Sequence, residues 1–229
     1  AVPKALKRGI KRPIQIAMSY DEEVGCIGAP FMAAEMAKLM PKASAAIIGE
    51  PSMMKSVSGH KGGLGIKTHV RGFEVHSSLQ HIGVSAIHEA AKLIEWANQM
   101  NIQNELLDRS EATSMFTPPW TTVHVGTIEG GTANNITAKD CHFVMGFRVI
   151  PNERATDWKQ AYESKVREVE AAMKKINPDS FIKLDAAHDV PGLRPEDDGA
   201  AEALVRKLTG DNGQHVVSYG TEAGQFQAE

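Results

Sequence analysis

Between Leu64 and Ala186 the hydrophobic period of the chain switches in a fixed order, and that order limits the folds open to it. Leu64, Ile66, Thr68 and Val70 alternate as in a strand. Over residues 84–100 apolar side chains recur at helical spacing: Val84, Ile87, Ala90, Ala91, Ile94 and Ala97. Residues 121–128 and 141–150 read as strands on either side of the Gly130-Gly131-Thr132 turn. Residues 155–176 read as a helix and residues 181–186 as a last strand. The order β-α-β-β-α-β predicts a ferredoxin-like sandwich over residues 64–187.

The flanking segments have a different texture. Residues 14–18 read as a strand that runs into Asp21-Glu22-Glu23. Residues 30–40 read as a helix ended by Pro41, and the apolar run 43–48 leads to Gly49-Glu50-Pro51. Strand–helix–strand predicts a parallel α/β unit, with Glu22, Glu23 and Glu50 on one rim of its sheet. Pro191-Gly192 marks the return from the insert, followed by a helix over 199–208. The expected fold is therefore α/β, with a partial α/β domain (residues 1–63 and 188–229) interrupted by a sandwich at 64–187. Gly9 closes the tail of a helix with no N-cap before it, and the Gly-rich stretch 218–226 stops where a helix could begin. Both ends read as cut through structure, as expected of a piece of a longer protein.

Composition narrows the function classes. Over 229 residues the formal net charge is −3, which gives no electrostatic footprint for nucleic acid. The apolar runs are too short to span a bilayer, and lysines and arginines break up the first dozen residues where a signal peptide would need an apolar core. Cys26 and Cys141 form no CxxC pair and read as free thiols of a reducing cytoplasm.

Read residue by residue, several positions offer chemistry beside a plainer alternative. Glu22 and Glu23 can divide the work of moving a proton and ligating a metal, or can form a solvated acidic turn. Glu50 adds an oxygen donor suited to zinc, but no HExxH or spaced histidine pair completes a set. His76, in Val75-His76-Ser77-Ser78, is a donor for an oxyanion or an exposed loop residue beside capping serines. Asn135 is a turn residue or an amide for a substrate; Arg148 is a surface charge or a carboxylate clamp. His69 and His142 read as surface or packing residues. No GxSxG elbow or Cys–His motif supports a covalent nucleophile.

In series these segments resemble a known family. Ser19-Tyr20-Asp21-Glu22-Glu23-Val24-Gly25, Ile48-Gly49-Glu50-Pro51-Ser52, His60-Lys61-Gly62, Val75-His76-Ser77-Ser78, Gly130-Gly131-Thr132-Ala133-Asn134-Asn135-Ile136, Phe147-Arg148 and Tyr219-Gly220-Thr221-Glu222-Ala223-Gly224 are similar, in order, to motifs of the co-catalytic zinc aminoacylase and carboxypeptidase family. The resemblance implies a zinc-peptidase-like catalytic domain carrying an inserted lid through which the protein forms a homodimer. It implies Glu22 as general base, Glu23 and Glu50 as ligands of two divalent ions (zinc, with cobalt possible), and His76 reaching the partner's site to stabilise the oxyanion. Asn135 and Arg148 would hold a small N-acyl amino acid, with Thr221 and Glu222 on a loop beside it. The implied reaction is hydrolysis of N-acetyl-L-ornithine to ornithine and acetate, in arginine biosynthesis. The alternatives are another N-acyl amino acid such as succinyl-diaminopimelate, or a non-catalytic dimerisation module. The family's remaining ligands, histidines and a bridging aspartate, would lie beyond this stretch. The 229-residue piece by itself is therefore expected to be inactive and to bind no metal pair.

Overall fold

The protein is described here by a computed structural model covering residues 2–228; Ala1 and Glu229, the outermost residues of the expected catalytic segments, lie outside the described residues. Its centre is a four-stranded antiparallel sheet built from β2 (Gly62–Arg71), β3 (Thr122–Gly130), β4 (Asp140–Val149) and β5 (Phe181–Val190), in the order β3-β4-β2-β5. The crossover helices are α3 (Ala86–Leu106) and α5 (Ala155–Ile176). This is the β-α-β-β-α-β sandwich expected from the periodicity, with β2 paired on both sides.

Period-2 alternation sends Leu64, Ile66, Thr68 and Val70 of β2 and Cys141, Phe143, Met145, Phe147 and Val149 of β4 to the helix side, where all are buried. Tyr162 of α5 fills the middle of that core, in ring contact with Trp96 and Phe147. Its hydroxyl shares a hydrogen bond of 2.8 Å with Thr68 Oγ1, so the buried polar atoms of both are satisfied. The buried stripe of α3 is Ala86, Ala90, Leu93, Ala97 and Asn104, rotated from the expected one; Ile87 and Ala91 stay outside. The alanines of that stripe let the helix sit close to the sheet, and Leu93 supplies the bulk.

Two elements expected from the sequence do not form. Residues 14–18 and 43–48 carry no strand ladder. A strand exists only through its pairing; here the Gln15 side-chain amide donates to the Pro41 carbonyl (2.7 Å) in place of a backbone ladder, and Ile14, Ile16, Met18 and Ile47 remain exposed. The parallel pairing on this side is instead β1 (Val57–His60) against β6 (His215–Val217). Around it lie α1 (Val2–Lys7), α2 (Ala29–Leu39), α6 (Ala200–Thr209) and α7 (Ala223–Ala228). Within the stretch expected as a plain connection, α3 runs on to Leu106 and a short α4 (Glu111–Ser114) follows. β5 also runs four residues beyond its expected end at Ala186.

The chain passes between these parts twice, and the two passages are hydrogen-bonded to each other: His60 N–H to Leu193 O at 3.1 Å and Leu193 N–H to His60 O at 3.0 Å. Gly62 and Gly192 make this approach possible, since a Cβ on Gly62 would lie 2.8 Å from the Val190 carbonyl oxygen. Beside them Lys61 is 1% exposed, its ammonium donating to the Trp120 carbonyl at 2.7 Å. Burial lowers Lys61 from the usual lysine range to about 8, with Glu153 pulling the other way. The folded state therefore releases this proton before the unfolded state does. The cost of burying the charge is present in full below pH 8 and is relieved as pH rises towards 10.5, so stability gains from this group over that window. Urea unfolding at pH 7.5 and 9.5 should show a larger gain for the native sequence than for Lys61→Met; equal gains would overturn this account.

Candidate active site at the acidic turn

The segment from Ser19 to Ala29 closes on itself as a loop, with Asp21 and Glu23 exposed and Glu22 half-buried. Gly28 N–H donates to Tyr20 O (3.2 Å), Ile27 N–H to Asp21 O (3.2 Å), and Cys26 N–H to Glu22 O (2.9 Å). Closing it places Asp21 (φ 54) and Cys26 (φ 56) in the left-handed region, unusual for residues with a side chain. A Cβ on Gly28 would lie 2.7 Å from Tyr20 O, so only glycine fits there. The loop delivers straight into α2, with Pro30 in its first turn.

Two further segments reach this loop. Ser19 Oγ donates to Glu222 Oε2 at 2.6 Å, tying it to the residues that open α7. Glu222 is 8% exposed and its Oε1 has no partner among the described residues. Glu50, half-buried, has its carboxyl pushed up by burial and then by the charges of Glu22, Glu222 and Glu23. The Cys26 thiol lies 3.7 Å from Glu22 Oε1 and is pushed up to about 12 by burial and then by Glu22, Glu222 and Glu50. Held so high, the thiol is no nucleophile at neutral pH. Beside the cluster, a cleft of about 820 Å³ has Glu50, His60 and Thr221 on an otherwise largely apolar wall. His60 Nε2 is buried there without a partner among the described residues.

Of the residues singled out from the sequence, Glu22, Glu23, Glu50 and Glu222 thus share one electrostatic neighbourhood, with Thr221 adjoining. Their donors suit a hard or borderline divalent ion, and their mutual repulsion together with the orphaned Glu222 oxygen fits a place for positive charge. Among the described residues, however, no three of these donors converge closely enough to hold an ion.

The others lie elsewhere. His76 and Asn135 lie on adjoining segments: Ser77 N–H donates to Asn135 O (2.8 Å) and His76 bridges Ile136. His76 is itself the N-cap of the Ser77–Ile82 turn, its Nδ1 accepting from Ser78 N–H. Both sit beyond the Arg71 end of β2, whereas Arg148 pairs with Gly63 at the other end. Ten residues of strand separate those ends by about 30 Å, so Asn135 and Arg148 of one chain cannot hold one small molecule together.

His188 was not singled out in the sequence. It stands beside Arg148 and between two glycines: a Cβ on Gly25 would meet its Cβ at 2.9 Å, and one on Gly65 would meet its Cε1 at 2.4 Å. Burial, then Arg148, keeps its imidazole below the usual histidine range. Its only signal would have been the length of β5.

The family is decided by the central sheet and its helices: residues 58–174 match the model of the peptidase dimerisation domain. The chain belongs to the M20 peptidase dimerisation-domain family. It is 30% identical over 217 residues to the acetylornithine deacetylase of Myxococcus xanthus, covering 95% of this chain and 54% of that protein. It is likewise 30% identical over 222 residues to the acetylornithine deacetylase of Pasteurella multocida, again covering 54% of it. The chain spans about half the length of the curated relatives it matches. Among solved structures, a tripeptidase from Staphylococcus aureus superposes over 99% of this chain and 56% of its own, with a TM-score of 0.67 at 19% identity. Aminopeptidase PepT from Bacillus cereus covers 92% of this chain and 52% of its own, at a TM-score of 0.58 and 19% identity. At those identities the structural matches speak for the fold.

The carboxylate cluster carries its own prediction. Glu222→Gln removes a buried like charge from Glu22 and Glu50 while keeping an acceptor for Ser19. In the metal-free chain it should raise stability by about 1 kcal/mol, or roughly 2–4 °C in melting temperature at pH 7. A lower melting temperature would show that the carboxylates are not strained against one another.

Proposed function

We propose that this chain is the lid and part of the catalytic domain of a hydrolase that cleaves the amide bond of an N-acyl amino acid, with N-acetyl-L-ornithine the first substrate to test. The observation that carries the reading is the meeting of Glu22, Glu23, Glu50 and Glu222, with the Glu50 carboxyl raised by its neighbours. The 30% identity to acetylornithine deacetylases supports the substrate class.

In this reading Glu22 is the general base: its carboxylate takes a proton from the attacking water and passes it to the departing amine. The neighbouring Cys26 thiol stays protonated and leaves Glu22 as the proton acceptor of the pair. Arg148 offers a guanidinium to the substrate carboxylate. Glu23 and Glu50 would hold divalent metal, which supplies polarisation of the scissile carbonyl and charge stabilisation. Thr221 on the cleft wall and Glu222, bonded to Ser19, stand beside the acidic turn as the loop next to the substrate. His76 and Asn135 stand too far along the sheet to serve their own chain, so they act together on a second subunit's site, His76 as a donor to the oxyanion.

A homodimer through the lid follows from this reading, and α3 has a surface for it. Ile87 and Ala91 form an exposed apolar strip beside the buried one, next to edge strand β3, whose Ile128 is 50% exposed. The same strip also favours the second reading, in which this piece on its own serves as a dimerisation module. Two buried, unpaired cysteines support a reducing, cytoplasmic setting. No helix among the described residues is long and apolar enough to cross a membrane.

In the full-length protein, Glu22→Gln should lower acetylornithine deacetylation roughly 10²–10⁴-fold and leave the dimer intact by sedimentation; unchanged turnover would remove Glu22 from the mechanism. Succinyl-diaminopimelate offered in competition separates the two substrate readings. The isolated 229-residue chain is expected to show no turnover. For the interface, Ala91→Glu should convert dimer to monomer in sedimentation velocity, and a surviving dimer would place the contact elsewhere.

A further inference from the structure

The face of the central sheet turned away from α3 and α5 carries a group of side chains that the proposed hydrolysis does not use. β2 and β4 are in register there, with His69 opposite His142 and Arg71 opposite Asp140. Strand alternation puts all four on the side opposite buried Val70, Cys141 and Phe143. The contacts are close. His69 Nε2 lies 2.7 Å from Asp140 Oδ1, and the rings of His69 and His142 stack with centroids 4.1 Å apart and planes 15° apart. One donor atom from each of His69, Asp140 and His142 falls within 4.8 Å of the others. Phe181 of β5 meets His69 edge-on at 5.6 Å and closes that flank. His69 and Asp140 are half-buried and His142 is exposed.

We propose that His69, Asp140 and His142 form a binding site for a divalent transition-metal ion on the lid, separate from the acidic turn. Two imidazoles and one carboxylate are the donor set of zinc, copper(II) and nickel(II), with a fourth position left to water. A magnesium or calcium ion would need several oxygens where this site has one carboxylate. An ion bound at His69 Nε2 takes the place of the hydrogen bond to Asp140 Oδ1, and the neutral ring then carries its proton on Nδ1. Stacked imidazoles aim their ring nitrogens in parallel planes, so His142 has to turn about its Cα–Cβ bond to ligate. Being exposed and at the end of the group, it is free to do so.

Arg71 shapes the site without ligating. Its Nη1 donates to Asp140 Oδ1 (2.9 Å) and Oδ2 (2.8 Å), fixing the carboxylate plane as an outer partner of a metal ligand does. Burial works against the Asp140 charge, but the hydrogen bonds from Arg71 and His69 outweigh it and hold the carboxyl below its usual range. The carboxylate is therefore oriented by its hydrogen bonds before any metal arrives. The guanidinium charge in turn tells against ions held mainly by electrostatics and favours those held by nitrogen donors.

The test uses the whole chain stripped with a chelator and titrated with Zn²⁺ by calorimetry, in the native sequence, His142→Ala, His69→Ala and the double variant Glu23→Gln/Glu50→Gln. One equivalent should bind in the native sequence and in the double variant, and should weaken at least about tenfold in each histidine variant. Copper(II) bound to the native chain should give an electron paramagnetic resonance spectrum with two nitrogen donors, falling to one in His142→Ala. His142 is exposed, so its removal should leave the melting curve in place and keep the comparison valid. Zn²⁺ affinity unchanged in both histidine variants, or a bound equivalent lost only in the double variant, would overturn the site. The first result leaves the hydrolase reading where it stands, whereas zinc lost only in the double variant would put the ion on Glu23 and Glu50 and support that reading.

Discussion

The pairing of β2 with β4 on one side and β5 on the other is the constraint from which the rest of the molecule follows. It fixes which side chains face the helices, and so builds the core around Tyr162 and Phe147. A slip of one residue would exchange the two faces, burying His69 and Arg71 and exposing Val70. The same register sets Arg148 beside Gly63 near the acidic turn and leaves His76 and Asn135 at the far end. In the proposed dimer, the division of labour between chains is thus a property of strand length.

The acidic turn is built on opposite terms. The lid gains from burying apolar surface, whereas the turn gathers Glu22, Glu23, Glu50 and Glu222 against their own repulsion and holds two non-glycine residues at positive φ. Burying like charges is costly. The described structure surrounds the turn with little that offsets it: its small buried cluster is Cys26, Ala29 and Val190, while Met18, Phe31 and Met53 lie exposed. Carboxylates so placed are poor at holding a fold together and well placed to attract a cation.

The difference between the two parts also explains what could be read in the sequence. The sandwich was legible because each strand and helix carries its own period and pairs with a neighbour of matching pattern, as at Leu64–Val70 and residues 155–176. The α3 face was misjudged because its apolar residues form two adjacent strips, and composition does not say which one meets the sheet; Leu93 and Ala97 do, Ile87 and Ala91 do not. Residues 14–18 and 43–48 have the composition of strands, but pairing needs a partner, which local pattern cannot supply. Glu22, Glu23 and Glu50 could be placed together because each follows an apolar run. Glu222, expected on a substrate loop, turned out to be buried against Ser19, and His188 gave no local signal because its place depends on β5 running to Val190.

The doubled passage between the two parts has a mechanical consequence. His60 and Leu193 join the outgoing and returning chains into a short ribbon, with Gly62 and Gly192 at its narrowest point. Sliding one chain past the other, or bending the ribbon within its own plane, stretches those two hydrogen bonds. Flexing it out of plane leaves them nearly unchanged. The connection therefore resists shear between the two chains, and Lys61 is anchored beside it by its bond to the Trp120 carbonyl.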